Sequence, residues 1–146
     1  MREDGTSVSI LVAVEDIETD LGSIAERLQM TKTGSLTQTM QTDVIEALKE
    51  LIEATQKEMQ EMKSEERQQQ QQQSQQKKPP LVELMAEIRM LRSLQLRVNN
   101  RTRRIHSLLQ EDDSETAALQ EQLAELARRQ DRLRESAIEL AGKMKR

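Results

Sequence analysis

Phe, Tyr, Trp and Cys are all missing from the chain, while Leu, Ile, Val, Met and Ala recur at alternating steps of three and four residues along most of it. Aromatic side chains supply the largest buried areas in globular cores. A chain without them must hide small and medium aliphatics along narrow seams, which is what helices packed side by side do. The sequence therefore predicts an all-α protein of elongated helical hairpins or coiled coil, with a flexible Gln-rich linker between them.

Charge strengthens that expectation. Of the 146 residues 33% are charged and 35% hydrophobic, a mixture that suits long helices better than a single compact core. The net charge of -4 hides an asymmetry. Met1 to Arg67 carries 15 acids against 7 bases, net -8, whereas Leu81 to Gln110 carries 2 against 6, net +4. Lack of cysteine excludes a disulfide, a thiolate nucleophile and Cys-ligated metal. The apolar run Val8 to Val14 is too short to span a bilayer and lacks the basic flank of a signal peptide. The chain is expected to be soluble, cytoplasmic by default, or periplasmic if it is a piece of a longer exported protein.

Three regions follow from the punctuation. Residues 1–64 read as an acidic helical pair. In the first helix, Ser7 to Lys32, the stripe is Val14, Ile17, Leu21, Ile24 and Leu28; its opening Val8 to Val14 could instead be extended. Gly34 suits the position that ends it, and two start signals follow, Ser35 with Gln38 and Asp43 with Glu46. The second helix, about Thr42 to Lys63, carries Ile45, Leu48, Ile52, Thr55, Met59 and Met62, with Val44 and Leu51 widening the stripe. Residues 65–80 read as a linker, with a glutamine tract closed by Pro79 and Pro80; a solvated helical extension is the alternative. Residues 81–146 hold two further stripes, from Leu81 to Leu109 and from Leu119 to Met144. A polar turn at Glu111 to Glu115 favours a hairpin over one continuous helix, because a continuous seam would bury Asp112.

Candidate sites are few. Leu84, Ile88, Leu91, Val98, Leu123, Leu126, Leu133 and Leu140 are the aliphatic positions expected to meet a partner, either a second copy or another coiled-coil protein. Arg97, Arg101 and Arg104 share one helical face and could meet phosphates, the basis of an alternative role with nucleic acid. A salt-bridged outer face, matched to the acidic first half of the chain or of a copy, is the simpler reading. Gln95 and Gln130 sit inward on their stripes, and in a hairpin turning near Asp113 they could hydrogen-bond across it or lie at a wet edge. His106, the sole histidine, has no second imidazole or thiol for a metal or triad site. No catalytic residue and no cofactor is expected.

The stretch Pro79, Leu84, Met85, Glu87, Ile88, Met90, Leu91, Arg92, Leu94, Gln95, Val98, Asn99, Arg101, Thr102 follows a Gln-rich linker, which in turn follows VIEALKELIEA from Val44 to Ala54. This arrangement resembles uncharacterised bacterial coiled-coil proteins over roughly Asp16 to Arg104. The resemblance implies helical fold and no function. The sequence thus predicts a non-catalytic structural or assembly module working through helix–helix contact.

Overall fold

A computed structural model describes residues 7–69, 80–111 and 113–144. Most of the expected glutamine linker, Asp112, Lys145, and the side chains of Met62 and Leu81 lie outside the described residues. Among the described residues the fold is all-α: α1 (Val8–Gln29), α2 (Ser35–Gln69), α3 (Pro80–Glu111) and α4 (Thr116–Met144), with one 3-10 turn at Asp113–Glu115 before α4 and no strand.

The start of α1 is capped twice. The Ser7 hydroxyl accepts from the Ile10 amide at 3.2 Å. Its first turn contains no acid, and Glu87 from α3 supplies one, accepting from the Ser9 amide at 3.1 Å and from the Ser9 hydroxyl at 2.5 Å. A carboxylate here meets the positive end of the helix dipole. The residues Val8 to Val14 are accordingly helical, not extended.

Between α1 and α2 the expected roles shift by a few residues. Helix α1 stops at Met30, and Thr31 takes φ 58°. The Lys32 amide donates to the Arg27 carbonyl at 2.8 Å and the Thr31 amide to Leu28 at 3.0 Å, the Schellman pattern that satisfies terminal carbonyls. The left-handed position thus belongs to Thr31, not Gly34. Helix α2 begins at Ser35, seven residues before the expected Thr42 and at the first of the two start signals, but the Gln38 side chain donates to the Thr33 carbonyl at 3.0 Å, the reverse of the acceptor role that a capping box gives it. Asp43, the second signal, faces the bundle interior instead. The far end of α2 runs to Gln69, so the first five residues of the expected linker are helical.

Pro80 opens α3, where its fixed φ and missing N–H cost nothing. Helices α3 and α4 fold back on each other as a hairpin, and the α1/α2 hairpin packs against it. Cross-helix pairs fix the directions. Ser9 meets Glu87 and Asp20 meets Arg101, so α1 runs parallel to α3. Glu50 meets Arg97 and Asp43 meets Arg104, so α2 is antiparallel to α3. The result is an up-down-up-down four-helix bundle in which α1 and α3 share the short diagonal, each touching three neighbours. Leu36, Met40, Leu94 and Ile105 are the most deeply buried aliphatics, and all four helices contribute to one continuous core.

The stripes expected to be inward on α1 and α2 are largely outward. Only Ile17 and Ile24 of the α1 stripe are buried; Val14 is 45% exposed, Leu21 50% and Leu28 43%. On α2, Ile45, Leu48, Ile52 and Met59 are all exposed; of the two residues that widen the stripe Val44 is buried and Leu51 half-buried, and Leu36, Met40 and Ala47 join Val44 in the core. Both helices are rotated because their inner faces must also present Asp16, Asp20 and Asp43 to arginines on α3 and α4.

Candidate functional site

The centre of the bundle is ionic. Arg101 and Arg129 are 2% and 3% exposed, and Asp16, Asp20 and Asp43 are buried beside them. Burying a lone charge is prohibitive, so each must find opposite charge and hydrogen bonds. Arg129 of α4 does so with a two-pronged grip on α1: Nη2 donates to Asp20 Oδ1 at 2.7 Å and Nη1 to Asp20 Oδ2 at 3.1 Å. Its Nη2 also reaches the Asp16 carbonyl at 3.3 Å, and its Nε donates to Glu125 at 3.2 Å. Arg101 of α3 donates through Nη1 to Asp20 at 2.6 Å and through Nη2 to Gln122 of α4 at 2.6 Å.

Two rim arginines complete the set. Arg132 donates to Asp16 at 2.7 Å, and Arg104 donates to Asp43 on α2. Four guanidiniums, Arg101, Arg104, Arg129 and Arg132, are thereby balanced by four carboxylates, Asp16, Asp20, Asp43 and Glu125. All four helices contribute a member, so the network specifies which helices meet and in which register.

The carboxylates do not share one environment. Burial alone would raise the Asp20 carboxyl, but the hydrogen bond from Arg129 and the charge of Arg101 outweigh it and hold the pKa below its ordinary value. Asp43 goes the other way. Burial raises it, and Arg101 and Arg104 do not fully offset that. The geometry explains the difference, since Asp43 Oδ2 is buried without a hydrogen bond and faces Arg101 Nε at 3.5 Å. Glu125 is penalised by burial too, yet its bonds from Arg128 and Arg129 bring it below the usual range.

The predicted anion-binding trio lies in or beside this network. Arg101 is internal, Arg104 is on Asp43, and Arg97 donates to Glu50 of α2 at 2.6 Å. A phosphate would have to displace those carboxylates. The missed signal was on the acidic side: Asp16 and Asp20 stand four residues apart among the buried Ala13, Ile17 and Ile24, a face that aliphatic weighting alone sets aside.

Of the positions expected to meet a partner, Val98, Leu126, Leu133 and Leu140 are buried inside the bundle. Leu84, Leu91 and Leu123 are half-buried, and Ile88 is at the surface, 36% exposed. The α3/α4 stripe therefore closes mainly on itself. Gln95 and Gln130 face each other across it with reciprocal amide bonds of 2.6 and 2.8 Å at its solvent edge, so both readings of the pair hold. His106 is exposed, its Nε2 within 3.3 Å of the Gln110 amide nitrogen. Among the described residues no group of three His, Cys, Asp or Glu is placed to hold a metal ion, and no helix is long and apolar enough to cross a membrane.

Comparison with protein-family models, with curated proteins and with solved structures gives no match.

Proposed function

We propose that this protein is a non-catalytic structural module that assembles with itself through helix–helix contact. One observation carries the reading. The α1/α2 hairpin exposes Val14, Leu21 and Leu28 on one helix and Ile45, Leu48 and Ile52 on the other. Scattered surface aliphatics are ordinary, but a periodic row on two adjacent helices marks a contact face. The row on α2 keeps a heptad spacing, which fits another helix better than an irregular surface.

The paired charges favour the same reading. Arg101, Arg129, Asp16, Asp20 and Asp43 are committed to each other inside the bundle, where they fix helix register. Sedimentation equilibrium on the full chain over a wide concentration range tests this. A mass rising above the 16.8 kDa monomer with concentration supports assembly. A monomer throughout, up to near-millimolar protein, overturns it.

A further inference from the structure

The α3/α4 hairpin has an inner and an outer face, and only the inner one is neutralised. There Arg97, Arg101, Arg104, Arg129 and Arg132 all meet carboxylates of α1 or α2. The hairpin thus already seats an acidic amphipathic helix, α1, whose Asp16 and Asp20 stand one turn apart beside the buried Ile17 and Ile24. On the outer face a second set of arginines has no such partner.

A groove runs along that outer face, and its floor is apolar. Leu91, Ala137 and Ala141 line one stretch and Leu123, Leu126 and Ala127 the other, with the Gln95–Gln130 pair between them. The three alanines keep the α4 wall low. Leu96 and Ile138, each three residues before a lining position, are exposed at the lips. From Ile88 to Arg103 the groove is about 22 Å long at 1.5 Å per residue, enough for four turns of a third helix.

Its rims are basic. Arg92 and Arg103 line the groove, Arg89 lies three residues before Arg92, and Arg134 lies four after the lining Gln130. All four are exposed, and none has an ion pair among the described residues. Of the acids a three- or four-residue step from a lining position, Glu87 is taken by Ser9, and Asp131 alone is unpaired among the described residues. Glu135, further round α4, still leaves the balance basic. Because Gln95 is level with Gln130, Arg92 is level with Leu133, so Arg92 and Arg134 flank the same stretch from opposite walls. Guanidiniums on both walls of an apolar floor select an occupant with carboxylates on both flanks of an aliphatic stripe. A nucleic acid would meet the arginines but leave the floor open, and the chain has no aromatic side chain to stack on a base.

We infer that the outer α3/α4 groove binds an acidic amphipathic helix of another protein, on the pattern by which the inner face holds α1. This goes beyond self-assembly and does not require it.

Two fluorescein-labelled peptides test it by anisotropy, titrated with the dilute full chain: three Glu-Ile-Ala-Ala-Leu-Glu-Gln heptads, and the same heptads with Lys at every Glu. The acidic peptide should bind and be released by salt, and the lysine peptide should bind at least tenfold more weakly. Arg92→Glu combined with Arg134→Glu should reverse that preference, a gain that damage to the fold would not produce. Ala127→Glu, inside the groove, should weaken the acidic peptide at least tenfold, while Lys49→Glu on α2 should not. All four positions are exposed, and circular dichroism checks that each variant stays helical. No binding of the acidic peptide, or a preference that the double variant leaves unchanged, overturns the proposal. Tighter binding of a labelled mixed-sequence DNA duplex than of the acidic peptide overturns it too, and makes the arginines a phosphate site. If the peptide fails to bind and the double variant no longer self-associates in sedimentation, a second copy fills the groove; the acidic helix of another protein is then overturned and self-assembly stands.

Discussion

Arg129 of α4 holds both carboxylate oxygens of Asp20 on α1, at 2.7 and 3.1 Å, in a site from which water is nearly excluded. A bidentate guanidinium–carboxylate pair has directional specificity that an aliphatic contact lacks. Two helices far apart in sequence are thereby set in one register.

Removing one partner from this pair leaves the other buried with its best-matched counter-charge gone. Asp20→Leu leaves Arg129 with Asp16 and Glu125 and takes the closest carboxylate from Arg101, and Arg129→Met leaves Asp20 with Arg101 and Asp16 with Arg132. Each should cost about 3–5 kcal/mol in urea unfolding. The double variant Asp20→Leu with Arg129→Met should lose far less than the sum, since Arg101 keeps Asp43 and Gln122 while Asp16 keeps Arg132. Strictly additive losses would show that the pair does not act as a unit.

That same pair shows where sequence reasoning stops. The hairpins, the start of α3 at Pro80 and the apposition of Gln95 with Gln130 follow from local spacing and cap chemistry, and all were legible. The rotation of α1 was not. Its aliphatics fall into two rows, Val12, Ile17 and Ile24 against Val14, Leu21 and Leu28, and neither is favoured by local rules. The choice is made by Asp16 and Asp20, whose partner Arg129 lies more than a hundred residues downstream. Arg101 reads as a surface residue for the same reason, because only the assembled bundle provides the charge that makes its burial tolerable.

Stability should pass through a maximum on the acid side of neutrality. Asp43 has a raised pKa when folded, so the native state binds that proton more tightly than the unfolded chain, and stability grows as pH falls through the raised value. Asp20 and Glu125 have lowered values; their contribution is complete above the ordinary carboxylate range, about 4, and is lost as pH falls through the folded values. Urea midpoints should therefore rise slightly as pH falls from neutrality toward the ordinary carboxylate range and fall below about 4. Asp43→Asn should flatten the first limb and leave the second. A midpoint that falls steadily from neutrality would contradict the assignment.

Thr31 offers a stabilising substitution. It is β-branched and holds φ 58°, a conformation that crowds its Cβ against the backbone. Glycine removes the crowding, at the expense of a more flexible unfolded chain. Thr31→Gly should raise stability by about 0.5–1 kcal/mol, and Thr31→Asn should share part of the gain. Thr31→Val, which keeps the branch and loses the hydroxyl, should bring none; thermal melts of the three variants decide.

The orientation of the bundle can be checked by trimming one isoleucine inside and one outside. Ile105 is fully buried at the centre of the core, whereas Ile52 is 54% exposed on α2. Ile105→Ala removes apolar contacts and leaves a cavity, at about 2–5 kcal/mol. Ile52→Ala should change the stability of the dilute monomer by no more than roughly 0.5 kcal/mol, as surface substitutions generally do. Under conditions where copies associate, the same Ile52→Ala change should lower the apparent stability of the wild-type assembly, because binding between folded chains adds to it by mass action. A large loss at Ile52 in dilute solution would mean that the α2 stripe packs inside the molecule, and the rotation assigned to α2 would be wrong.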